Sequence, residues 1–205
     1  MNNDPGELYR ITKKDIAKTG IILAEAFRND PIFEAIFHGK RSKHIDSFFE
    51  GAARFGIRYG QALAPSEALE GVAVWVPGDQ ADMTAWRTLI TGAAFASLGL
   101  GIRLLKNMEV IFSPLEKNRR RLMKGRDYIY LMAIAVAPEY QGQGMGKRLL
   151  TQLFRESEEA ALPIFLETAT EKNVRMYEHL GFKLIDTVIQ PIINLPHHGM
   201  LREPK

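Results

Sequence analysis

The sequence predicts a single α/β domain spanning residues 1–205, and three observations carry that reading. Apolar runs of strand length at Val72–Val76, Leu131–Val136 and Pro163–Thr168 alternate with stretches of helical spacing. The segment Tyr128–Leu150, YIYLMAIAVAPEYQGQGMGKRLL, reads as a strand, a turn at Pro138, a glycine-rich loop and a helix. Finally, 205 residues with 46% hydrophobic content suit one domain with a real core.

Taken in order, Leu8–Ile11 is a short first strand. Lys13–Arg28 has Ile16, Gly20, Leu23, Ala24 and Phe27 at helical spacing, and Asn29-Asp30-Pro31 breaks it. Phe33–Tyr59 is a second helical region, with Gly39 and Gly51 as weak points. Gln61–Ala64 and Gly71–Val76 read as strands joined across Pro65-Ser66-Glu67. The second is apolar almost throughout, as in a strand covered on both faces, and Pro77-Gly78 ends it. The segment Asp79–Arg126 is too long for a structureless loop. It predicts helices over Asp82–Thr91, Ala93–Met108 and Leu115–Met123. Its uncharged stretch Thr88–Ile102 falls short of the roughly 20 apolar residues of a membrane span.

Gly144–Ala161 is a helix with Met145, Leu149, Leu150, Leu153 and Phe154 on its buried stripe. Pro163–Thr168 is the next strand. In the helix that follows, Asn173 and Tyr177 share a face, Gly181 terminates it, and Phe182–Val188 is strand-like.

The glycine loop carries the chemistry. Gly142, Gly144 and Gly146 leave main-chain N–H groups unshielded before a helix N-terminus, an arrangement that binds phosphates. Spacing excludes two common versions. The third glycine of a dinucleotide fingerprint would stand where Lys147 is. The first glycine of a P-loop would stand at Gln141, and its Ser or Thr at Arg148. What fits is Gln141-x-x-Gly144-x-Gly146, which resembles the Gln/Arg-x-x-Gly-x-Gly/Ala pattern of the GNAT superfamily of N-acetyltransferases. The later Asn173-x-x-x-Tyr177-x-x-x-Gly181-Phe182 ending is similar to the acceptor-side half of that fold. The run LETATEKNVRMYEHLGF, with Arg202-Glu203-Pro204, looks most like the branch containing puromycin N-acetyltransferase.

The resemblance implies a mixed, mostly antiparallel sheet flanked by helices, with strands four and five splayed. The segment at about 79–126 becomes a helical insert between strands three and four, read as a lid or wall for the acceptor or else as a packing appendage. It implies acetyl-CoA as cosubstrate. The Ile134, Ala135 and Val136 backbone would hold the pantetheine arm, and Gln141, Gly142, Gln143, Gly144, Met145, Gly146 and Lys147 the pyrophosphate. Asn173 would bond the cofactor arm or cap its helix. Tyr177 would be the general acid toward sulfur; its bland alternative is core packing. Glu167, ending strand five, is the candidate base or a structural anchor, with Asp30 and Glu34 as competitors. Asp30, Phe33 and Trp75 are candidate acceptor contacts, with core packing the alternative for the aromatics.

The chain has no cysteine, so disulfides, thiolate metal sites and a cysteine nucleophile are out. Direct attack by the acceptor amine, with no covalent enzyme intermediate, is the expected route. The five histidines lack metal-ligand spacing, so no metal is expected. His197-His198 reads as a late surface loop. The net charge of +3 argues against nucleic acid, and Lys117–Arg121 reads as a solvated helix face or loop. The start MNNDPGELYR has no signal pattern, which predicts a cytoplasmic protein; no membrane is expected, and monomer and homodimer are both left open. The function expected is N-acetylation of a small-molecule amine. Protein or peptide acetylation and a non-catalytic acyl-CoA sensor are the alternatives.

Overall fold

The structure, a computed structural model, describes residues 7–38, 40, 42–82 and 102–205, with the backbone alone over 102–108. The expected helix Asp82–Thr91 and the stretch Thr88–Ile102 therefore lie almost wholly outside the described residues.

After strand β1 (Tyr9–Arg10), helices α1 (Ile16–Ala26), α2 (Pro31–Phe37) and α3 (Lys43–Tyr59) follow in succession. The break between α1 and α2 has a local cause. Asp30 accepts the Ile32 N–H at 3.0 Å and the Phe33 N–H at 3.4 Å, and Pro31 occupies the first helical position, where its missing N–H costs nothing. The region Phe33–Tyr59 is two helices: His38 ends the first by turning left-handed at φ 54°, and Ser42 starts α3 by accepting the Ile45 N–H. Gly51 does not break α3; it lies buried within it.

Strands β2 (Gln61–Ala64) and β3 (Gly71–Pro77) lead to helix α4 (Ile102–Leu122), then β4 (Ile129–Val136), α5 (Met145–Ala160), β5 (Ile164–Thr168), α6 (Glu171–His179), β6 (Lys183–Gln190) and β7 (Leu195–Arg202). Among the described residues these strands form one seven-stranded sheet ordered β1-β2-β3-β4-β5-β7-β6. Only β4 and β5 run parallel.

Helix α4 corrects the expected break between Met108 and Leu115. It runs unbroken through Pro114. Ile111 and Leu115, four residues apart, are both buried in the core and hold the two halves in line. The carbonyl deprived of its partner by Pro114 belongs to Val110, which is 48% exposed and so open to water.

Alternate residues of each strand serve two different cores. Val72, Val74 and Ala135 pack under α1, α2, α3 and α4. Ala73, Trp75, Leu131 and Leu166 pack under α5 and α6 with Leu149, Leu153, Val174 and Tyr177. The sheet is thus sandwiched, among the described residues, between a four-helix face and a two-helix face. Among the described residues no helix is long and apolar enough to cross a membrane.

Candidate active site

The site begins with an irregularity in β4. Val74 pairs with Ala133 but Trp75 pairs with Leu131, so Met132 is an extra residue bulged out of the ladder. On its other side β4 pairs with β5 at Ile129, Tyr130 and Leu131 and no further. Beyond Leu131 the two strands part, and among the described residues no strand lies beside Met132 to Val136 on that edge of β4. Ile134, Ala135 and Val136 lie on this edge, held from behind by Ala73, Val72 and Gly71. Gly71 is required there, because a Cβ would sit 2.7 Å from the Ala135 carbonyl oxygen.

The glycine loop follows at the end of that edge. Gly142 and Gly144 take φ of 76° and 81°, a region that disfavours side chains. Gln141 donates its side-chain N–H to the Val136 carbonyl at 3.2 Å and ties the loop to the strand, and Gln143 does the same to Glu139 at 2.9 Å. Gly144 is the N-cap of α5 without a side-chain cap, and Arg148 is the first to close a turn, on the Gly144 carbonyl at 3.0 Å. The N–H groups of Met145, Gly146 and Lys147 are left at the helix mouth, where an anion satisfies them. Gly146 leaves only ordinary contact distance to Val136. A backbone edge running into such a cradle fits an extended amide-bearing arm that ends in a pyrophosphate.

Tyr177 approaches from the two-helix face. It is 6% exposed, edge-on to Phe182, and its hydroxyl has no hydrogen-bond partner among the described residues. Burial pushes that hydroxyl up to about 12, so it stays protonated through neutral pH. Asn173, one turn earlier, donates to Thr168 Oγ1 at 3.1 Å. Thr170, not Asn173, caps the helix by accepting the Asn173 N–H.

Glu167 lies one residue past the last β4–β5 pair, on the opposite face of the sheet. Its Oε2 accepts from the Tyr130 hydroxyl at 2.9 Å and faces Arg119 Nη1 at 3.6 Å. Arg119 also donates to Asp82 at 2.9 Å and lies over the Tyr130 ring at 4.5 Å. Burial opposes its charge, but Tyr130 and Glu167 win and hold its proton above the ordinary range. The Tyr130 hydroxyl is pushed up by desolvation and by the Glu167 carboxylate. His197 Nε2 stands 3.5 Å from Glu167 Oε1. Asp30 joins the group electrostatically: burial raises its carboxyl, while the Phe33 and Ile32 N–H groups and His197 pull it back. Phe33 is half-buried in a cluster with Phe27, Phe37, Phe48, Phe49 and Phe112.

Three expectations need correction. Trp75 presents no surface to an acceptor: it is 2% exposed on the two-helix face and donates to Glu156 at 2.8 Å. His197 and His198 are not in a surface loop but buried in β7. Arg119 is not solvated, being 3% exposed, although its neighbours Arg120 and Arg121 are open. The signal for Arg119 was present, since Ile111, Leu115 and Arg119 recur every four residues on one stripe of α4. Tyr130 carried no such signal. Its polar role depends on which strand lies beside it. Among the described residues no group of three His, Asp or Glu could hold a metal ion.

A family model described as an acetyltransferase (GNAT) domain matches residues 118–184, the segment that contains β4, the loop, α5, β5 and α6. An uncharacterized N-acetyltransferase of Schizosaccharomyces pombe is 27% identical over 207 residues, covering 96% of this chain and 83% of that protein. A solved structure described as histone acetyltransferase HPA2 and related acetyltransferase from Corynebacterium glutamicum superposes with a TM-score of 0.62 at 20% identity, covering 97% of this chain and 96% of that one. The polyamine N-acetyltransferase of Drosophila melanogaster, an enzyme that forms N-acetylagmatine, superposes at 0.64 with 12% identity, covering 96% and 99%. The structural likenesses speak for the fold, the sequence matches for the family. Together with the parted β4 and β5 strands and the glycine loop, they give residues 118–184 as an acetyltransferase (GNAT) domain, in a chain similar to N-acetyltransferases over nearly its whole length.

Proposed function

We propose that the protein transfers the acetyl group of acetyl-CoA to the primary amine of a small molecule by direct attack. One observation carries this reading: where β4 parts from β5, an open main-chain edge has a protonated tyrosine on one face of the sheet and a buried carboxylate cluster on the other. The donor arm lies along Ile134–Val136, with its phosphates on the loop from Gln141 to Lys147 and Asn173 beside it. The amine enters from the four-helix face and attacks the thioester carbonyl in the gap. Tyr177 gives its proton to the departing sulfur. Because acid and proton acceptor sit on opposite faces, neither blocks the other.

Asp30 and Phe33 line the acceptor side in this reading, and the insert supplies a wall. Phe112 of α4 packs 6.1 Å from Phe33, and Ile111 and Leu115 share that core, which supports the insert's place on the acceptor face. An apolar wall with one carboxylate suits a compact amine with some apolar surface. The decisive experiment incubates purified protein and acetyl-CoA with a library of small amines and peptides and reads free thiol. Turnover confined to small primary amines is the expected result. Turnover confined to peptides, or acetyl-CoA binding with no turnover, sinks the proposal.

A further inference from the structure

His197 and His198 are neighbours in β7, so strand alternation sends their rings to opposite faces. His198 bonds Thr187 through Nδ1 at 3.0 Å. His197 lies on the Glu167 face, because Glu167 pairs with Gly199 two residues on. It is 8% exposed, and neither of its ring nitrogens has a hydrogen-bond partner among the described residues. The same is true of Glu167 Oε1, the atom nearest to it. Buried polar atoms are ordinarily hydrogen-bonded, so His197 Nε2 facing Glu167 Oε1 at 3.5 Å, with Nδ1 of the same ring also without a partner, marks a place kept for chemistry or a ligand.

Glu167 itself is already engaged. Its Oε2 is occupied by the Tyr130 hydroxyl, and Arg119 balances its charge. What this fixed carboxylate does well is orient an imidazole and stabilise it once charged. We propose that His197 is the catalytic base that takes the proton of the acceptor amine, and that Glu167 is a positioning residue acting through it. This rests on the functional reading above.

Glu167 of β5 faces His197 directly, Asp30 at the start of α2 acts on it through charge, and Tyr130 of β4 and Arg119 of α4 reach it only through Glu167. The proton balance closes. The bound ammonium gives one proton to the imidazole, directly or across one water, and the freed lone pair forms the C–N bond. The adduct collapses by breaking C–S, with the electron pair leaving on sulfur and the Tyr177 proton following it. The second nitrogen proton restores Tyr177, and the imidazolium releases its proton to solvent.

The test compares wild type, His197→Gln and Glu167→Gln by thiol release across pH, with acetyl-CoA affinity measured by calorimetry. His197→Gln is expected to lower kcat about 10²-fold or more and to remove the ascending limb of the pH profile, with acetyl-CoA affinity within about twofold. Its deficit shrinks for a weakly basic acceptor such as methoxyamine, which arrives already neutral, and added imidazole rescues His197→Ala in part. Glu167→Gln lowers kcat less and keeps a shifted limb. Wild-type rate and limb in His197→Gln overturn the role of His197 alone; so does a larger loss in Glu167→Gln with the limb abolished. A wild-type protein that acetylates no amine removes the functional reading and this inference together. If the variants fail to fold, the His197 imidazole resonance in the wild-type protein replaces them. It must titrate in step with kcat, and a resonance that does not overturns the proposal.

Discussion

At the scale of single residues, position in the sheet decides role. Tyr177 is packed as deeply as a core residue, yet its hydroxyl is left without a partner and held protonated by desolvation. Tyr177→Phe keeps the packing and removes only the proton. It is expected to lower kcat by roughly 10²-fold or more while leaving acetyl-CoA affinity unchanged, by thiol release and calorimetry. Wild-type turnover would make Tyr177 a packing residue. Asp30 combines a cap with a desolvated charge. Its carboxyl is raised in the folded state, so the stability tied to its protonation is complete below the unfolded value of 3.8 and is lost as pH rises through the folded one. Asn caps as well as Asp and carries no charge. In urea unfolding at neutral pH, Asp30→Asn should therefore match or exceed wild type, with its advantage vanishing in acid, whereas Asp30→Ala should lose about 1 kcal/mol.

At the scale of elements, the loop between β4 and α5 is shaped by backbone conformation rather than crowding. A Cβ on Gly144 would meet nothing within 4 Å, so no clash protects this glycine. Its φ of 81° does: a β-branched residue there costs about 1–2 kcal/mol and turns the following N–H groups away. Gly144→Val is expected to abolish measurable acetyl-CoA binding in calorimetry while unfolding with a cooperative transition. Undiminished affinity would remove the phosphate role of the loop. The bulge at Met132 is the companion device, since it bends β4 away where its pairing with β5 ends.

At the scale of the molecule, the insert is wired to the end of the sheet where β4 and β5 part. Arg119 spans from Asp82, near the start of the insert, to Glu167 on β5. Removing it leaves a buried carboxylate without its cation, so Arg119→Met is expected to cost about 3–5 kcal/mol in urea unfolding. Pairing it with Glu167→Gln removes the orphaned charge, and the double variant should regain most of that loss. Additive losses would show that the two do not interact. Tyr130, whose hydroxyl bonds Glu167 while its ring lies under Arg119, makes this a network and not a lone pair.

Strands β1 to β6, the helix that ends at Gly181 and the glycine loop were legible in the sequence because each rests on local chemistry: period, capping, and the positive φ that glycine permits. The phosphate-binding pattern is local in the same sense, since its donors come from one short run. What tertiary structure alone decided is which residues share a face. Trp75 looked available because a β3 residue can point either way, and α5, with Glu156 taking its N–H, made its face core. His197 looked like loop because Pro196 and Gly199 flank the pair, and only pairing with β5 placed it against Glu167. Burial of charge at Arg119, Glu167 and His197 depends on contacts across dozens of residues of chain, and no local pattern encodes those distances.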